Sequence, residues 1–271
     1  MAAQRPPLEL DEIMKLLGRL WRTIATVFCF SVFATGGILI GAGGIPIVWL
    51  IWRKPEARHR VGRVILQKSF HLFVRLMNVS GVLRSNFEGL ETLRKQGNIV
   101  LANHPTLIDF VLLASVIPQA DCFVKSALKT DWFKRWPVIL AGYILNNQGE
   151  STIALCKESL DAGNNIIIFP EGTRTPPGRP VLFMKGAAQV AVRIQRDITP
   201  VLIQSTASNL HKDGTWYLAP KDRVRITLRV KPEISIRPFM IARPDQPALA
   251  ARDLNEHLQE YFNKDLSHAE A

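Results

Sequence analysis

Two short stretches carry the residue types that do chemistry. In Asn103-His104-Pro105-Thr106-Leu107-Ile108-Asp109 a histidine precedes an aspartate inside an otherwise apolar segment. Imidazole titrates near neutral pH, and a carboxylate bound to one ring nitrogen leaves the other able to take a proton. The spacing does not suit two metal ligands on one helical face, because residues five apart do not overlay. The second stretch is Phe169-Pro170-Glu171-Gly172-Thr173-Arg174-Thr175. Gly172 lets the backbone approach a ligand, Thr173 and nearby amides donate hydrogen bonds, and Arg174 offers a planar fork suited to phosphate. Glu171 is placed to brace Arg174 or neighbouring amides. Each stretch alone has a plainer reading, as a buried pair that satisfies itself or as a salt-bridged surface turn.

The elements around them argue for a shared site. From residue 97 short β-rich runs alternate with helical ones. Strands are expected at Asn98–Leu101, Cys122–Val124, Tyr143–Leu145, Ile166–Phe169, Val201–Gln204 and Val224–Val230, and helices at Leu107–Val116, Trp132–Leu140, Ser151–Ala162 and Lys185–Gln195. A last amphipathic helix places Leu254, Leu258, Tyr261 and Phe262 on one face. This alternation predicts an α/β fold, an αβα domain around a largely parallel sheet. Pro105 is expected in the first turn of its helix, with Asp109 about one and a half turns in. Both motifs then follow strands, at the sheet end where ligands collect.

The chain has 271 residues, room for one large domain or two small ones. Lys and Arg number 34 against 23 acids, a formal charge of +11 that favours anionic partners. No aromatic-basic recognition motif accompanies this charge, which argues against nucleic acid. From Thr23 to Trp52 thirty residues pass without a charged side chain or histidine. About twenty apolar residues span a bilayer, so this run reads as a retained anchor. Gly41-Ala42-Gly43-Gly44-Ile45-Pro46 interrupts it, leaving either a kinked membrane helix or a re-entrant helical hairpin. Arg53, Lys54, Arg58, Arg60 and Arg63 come directly after it, which places the rest of the chain on the cytoplasmic side. The expected organisation is an anchor over residues 1–54, a basic amphipathic interfacial helix over 55–80, and a catalytic domain over 81–271. Cys29, Cys122 and Cys156 form no paired spacing and read as reduced packing residues. No metal-ligand spacing is present.

The two motifs, about sixty residues apart, together resemble the lysophospholipid acyltransferase family, the 1-acylglycerol-3-phosphate acyltransferases and their relatives. The resemblance runs from about residue 80 to 235. His104 and Asp109 match the family's catalytic pair, and Phe169–Thr175 its FPEGTRS-type block. Val124-Lys125, Phe183–Ala188 and Thr199-Pro200-Val201 resemble its minor blocks. One block departs: Asn146 and Asn147 stand where the family usually carries an Asp-Arg pair whose Arg holds the acceptor's phosphate. In this respect the chain looks like a bacterial subgroup working beside fatty-acid-like or aryl polyene lipid pathways.

The resemblance implies a membrane-bound O-acyltransferase that moves an acyl chain from acyl-CoA or acyl-carrier protein to a hydroxyl of a lysophospholipid or related lipid. It implies no cofactor beyond that thioester co-substrate. A thiol leaves readily because its pKa is about 8.5, and no GxSxG nucleophile motif is present. His104 is then the general base and Asp109 its orienter. Glu171, Gly172, Thr173, Arg174, Lys125, Asn146 and Asn147 are expected to hold the acceptor's polar head. Membrane lipid and the carrier are the implied partners, and the cytoplasmic face of a bacterial inner membrane the implied location. Two other readings stay open: transfer to a non-phosphate lipid or head group, and a catalytically silent lipid-binding scaffold.

Overall fold

The computed structural model describes residues 10–125, 135–146, 150–176, 178–207, 209–210, 214–220 and 222–268. The uncharged N-terminal run is helical throughout. Helix α1 (Leu10–Leu39) passes through a π-helical turn at Ile40–Gly44 into α2 (Ile45–Ile51). The glycine cluster therefore loosens the helix without reversing it, and Pro46 falls in the first turn of α2, where a missing N–H costs nothing. The chain turns only at Trp52–Lys54, and α3 (Pro55–Val79) folds back along the first helix. Phe33 contacts both Phe70 and Phe73, and the Trp21 indole N–H donates to the Ser80 carbonyl.

Seven strands form one sheet: β1 (Leu83–Glu88), β2 (Ile99–Ala102), β3 (Ala120–Lys125), β4 (Ile144–Asn146), β5 (Asn165–Ile168), β6 (Ile198–Ser205) and β7 (Val224–Val230). Their order is β1-β7-β6-β2-β5-β3-β4, and each neighbouring pair is parallel except β6 with β7. The central strands are apolar at nearly every position because both faces are covered. Val100 and Ala102 of β2 pack on one side, with α3 and with α4 (Asp109–Val116). Ile99 and Leu101 pack on the other, with α6 (Glu150–Asp161), α7 (Gly186–Ile194) and α9 (Pro247–His268). The period-two alternation of a strand thus sorts one run, IVLA, into two cores and yields three layers. Short α5 (Arg135–Ala141) and α8 (Arg237–Ala242) complete the described helices.

Arg63, read from sequence as part of the basic face of an interfacial helix, is buried. Its guanidinium lies 3.0 Å from the equally buried Asp121 carboxylate, which also accepts from the Ser159 hydroxyl at 2.6 Å. This ties α3 to β3 and α6. Next to it Gly62 lies against Leu140 so closely that an added Cβ would collide with the Leu140 carbonyl. The three cysteines are free and buried.

Candidate active site

Strand β2 ends at Ala102, and Asn103 fixes the direction in which the chain leaves it. The Asn103 side-chain amide donates to the Ile203 carbonyl at 2.8 Å and accepts from the Ile203 N–H at 2.7 Å, standing in for one more rung of the ladder with β6. The chain then loops to α4, whose first residue is Asp109. This corrects the expected start at Leu107: Pro105 lies in the loop, and Asp109 sits at the helix N-terminus. The reason is a cap built from Thr106 alone, which donates twice: Asp109 Oδ2 accepts the Thr106 N–H at 2.6 Å and Oδ1 accepts the Thr106 hydroxyl, holding the turn ahead of the helix. The signal stood in the sequence as Thr106-Leu107-Ile108-Asp109.

That cap also aims the carboxylate. Asp109 is fully buried, and Oδ2 lies 2.8 Å from Nδ1 of His104. Anchored by its own helix and by Thr106, it holds the ring and fixes Nδ1 as the protonated nitrogen. The imidazole stacks on Phe169, centroids 4.3 Å apart and planes 28° from parallel. His104 lines a large cavity, and its Nε2 makes no hydrogen bond among the described residues.

The second motif is joined to the first through the peptide of His104. The His104 N–H donates to Glu171 Oε1 at 2.7 Å, and the His104 carbonyl accepts the Thr175 N–H at 3.0 Å. Glu171, expected both at the acceptor's head and as a brace for neighbouring amides, faces inward and accepts from the histidine's backbone. Burial holds its carboxyl above the ordinary range, against the opposite pull of the Thr175 side chain and the His104 amide. Gly172 has φ +64°, the left-handed region, and a Cβ there would approach Met184 Sδ to 2.7 Å. The Met184 N–H in turn donates to the Pro170 carbonyl at 2.8 Å, closing the loop against the start of α7.

The cavity is about 1550 Å³ and is lined by His104 together with residues from both layers that flank the sheet. On the α3–α4 side it is walled by Phe30, Phe33, Phe70, Phe73, Phe110 and Tyr143. The α6–α7 side carries Thr152, Gln189 and Arg193 among apolar neighbours. Gly172 lines the cavity, Thr173 is exposed beside it, and Arg174 is half-buried with Nη1 3.4 Å from the Leu210 carbonyl. Lys125 and Asn146 are register partners at the ends of β3 and β4, next to this edge. Asn147 lies outside the described residues, as do residues 126–134, where the helix expected from Trp132 was to begin.

Residues 84–204, which contain both motifs, match the family model described as Acyltransferase. Over this stretch the chain is similar to acyltransferases. Among curated relatives, the 1-acyl-sn-glycerol-3-phosphate acyltransferase of Helicobacter pylori is 30% identical over 125 residues, 44% of this chain and 53% of that protein. The enzyme of the same name from Pseudomonas aeruginosa is 25% identical over 145 residues, 51% of this chain and 56% of that protein. The chain thus spans about half the length of the first of these relatives. The crystal structure of the 1-acyl-sn-glycerophosphate (LPA) acyltransferase PlsC from Thermotoga maritima superposes with a TM-score of 0.64 at 21% identity, covering 95% of this chain and 98% of that one. That likeness shows the fold. The residues that sequence reasoning missed are those that hold the pair in place: Thr106 under Asp109, Phe169 under the imidazole, and Met184 against Gly172.

Proposed function

We propose that this chain is a membrane-bound O-acyltransferase that moves an acyl chain from a thioester to a hydroxyl of a lysophospholipid or related lipid. The observation that carries this reading is the His104–Asp109 pair, 2.8 Å apart with the histidine lining a large cavity and Nε2 left for substrate. The acceptor hydroxyl gives its proton to Nε2 as its oxygen attacks the thioester carbonyl. Asp109 stabilises the resulting imidazolium without taking the proton. Collapse of the tetrahedral intermediate breaks the C–S bond, and the departing thiolate regains a proton from His104. The aromatic side of the cavity suits the acyl chain, where burial contributes about 0.8 kcal/mol per methylene. Thr173 and Arg174, with Lys125, Asn146 and Asn147, are the residues proposed for the acceptor's head.

The first helix supports the membrane part. Residues Glu12–Ile51 are long and apolar enough to cross a bilayer, with mean hydropathy 2.0 over an 18-residue stretch. Leu16, Leu17, Leu20, Ile24, Leu39 and Leu50 are exposed on it, an arrangement suited to lipid rather than water. The basic residues after Trp52 favour the cytoplasmic face of a bacterial inner membrane.

The test is product analysis. Purified protein in lipid vesicles receives acyl-CoA or acyl-carrier protein together with lysophosphatidate or a monoacylglycerol. The reading requires one thiol released per new ester, identified by mass spectrometry. Thiol release without an acylated lipid would mean hydrolysis and would refute the transferase.

A further inference from the structure

Apart from its aromatic wall, the cavity has a side lined from α6 and α7 that carries polar and basic side chains among apolar ones. Met184 touches Gly172, so α7 begins beside the catalytic loop. From there Lys185, Gln189 and Arg193 recur every fourth residue, and all three line the cavity. At 1.5 Å per residue the stripe runs about 12 Å away from the reacting centre. Arg193 is exposed and forms no ion pair or hydrogen bond among the described residues. Glu150, the carboxylate on this side, stands at the first residue of α6.

Across from the stripe is Thr152, only 3% exposed, whose hydroxyl has no partner among the described residues. A buried hydroxyl without a partner is costly, so this one invites a polar group from a ligand. A thioester also branches at its carbonyl: the acyl chain leaves one way and the thiol's carrier the other. The aromatic side accounts for the first branch.

We infer that the α6–α7 side receives the phosphopantetheine arm shared by acyl-CoA and acyl-carrier protein, with Arg193 meeting its phosphate and Gln189 and Thr152 its amides. This rests on the reading of the donor as a thioester. The arm carries two amides between thiol and phosphate, matching polar side chains on the wall and a cation at the far, open end. Nucleotide or carrier protein then stays outside, which lets one site serve either donor.

The experiment compares acyl-CoA, acyl-carrier protein and acyl-pantetheine, which lacks the phosphate. Arg193→Gln should raise KM for the first two about tenfold, leaving kcat, the acceptor KM and the acyl-pantetheine KM unchanged. Thr152→Val should raise donor KM for all three while raising the thermal midpoint of the free protein, since it removes an unpaired hydroxyl. Unchanged donor KM in both variants, a rise in acceptor KM, or a rise confined to one phosphorylated donor would overturn the assignment. Calorimetry with free phosphopantetheine separates this from the acyltransferase reading. Binding that Arg193→Gln weakens about tenfold, in a protein that transfers no acyl group, would uphold the site and refute the reaction. No binding by the unaltered chain would refute the site.

Discussion

The backbone N–H of His104 donates to the buried carboxylate of Glu171 at 2.7 Å, joining two motifs 67 residues apart through a main-chain bond. Glu171 thereby acts on the position of the histidine. Glu171→Leu should cut kcat by about tenfold or more, because an unpaired buried N–H lets the loop shift. Glu171→Gln, whose amide oxygen still accepts, should keep most of it. Steady-state kinetics with unchanged donor KM would check this.

The same carboxyl predicts a pH dependence of stability. Burial raises its folded value above the ordinary 4.5, so the folded chain holds that proton more tightly than the unfolded one. Its contribution is fully present below the ordinary value and lost as pH rises through the folded one. Urea midpoints of Glu171→Gln should therefore decline less than those of the unaltered protein from about pH 4.5 upward.

Thr106 tests the cap. Thr106→Val removes the hydroxyl bound to Asp109 and keeps the backbone bond at 2.6 Å. The expected loss is about 1–3 kcal/mol of stability, measured by denaturant unfolding. A pH–rate profile with an altered acidic limb should accompany it, since His104 acts as a base and Asp109 then holds the imidazole less firmly.

Gly172→Ala places a methyl on a left-handed residue and against Met184 Sδ. The conformational cost is about 1 kcal/mol, and the clash adds to it. Pairing it with Met184→Ala should recover the clash but not the backbone strain, so a double-mutant cycle in kcat and stability should show positive coupling.

Much of this was legible in the sequence, and the exceptions have physical causes. Central strands such as Ile166-Ile167-Ile168 announce themselves because both faces are buried. Strand β1, Leu83–Glu88, went unexpected because it lies at the sheet edge and carries mostly polar residues. Strand β6 begins three residues before the expected Val201 because its parallel ladder with β2 runs from Ile198 through Pro200, a residue that reads as a strand breaker in sequence. Arg63 looked like a surface charge because its partner Asp121 is 58 residues away. The His104–Asp109 pair was visible as spacing, whereas the inward turn of Glu171 depends on a tertiary contact that no local pattern encodes.

The most direct test compares His104→Ala with the unaltered protein in vesicles, using one acyl thioester and one lysophospholipid and monitoring ester formation and thiol release together. The account predicts that both fall by about 10²–10⁴-fold, with circular dichroism and vesicle binding unchanged. Ester formation within a few-fold of the unaltered protein would contradict it, because a base other than His104 would then be removing the acceptor's proton.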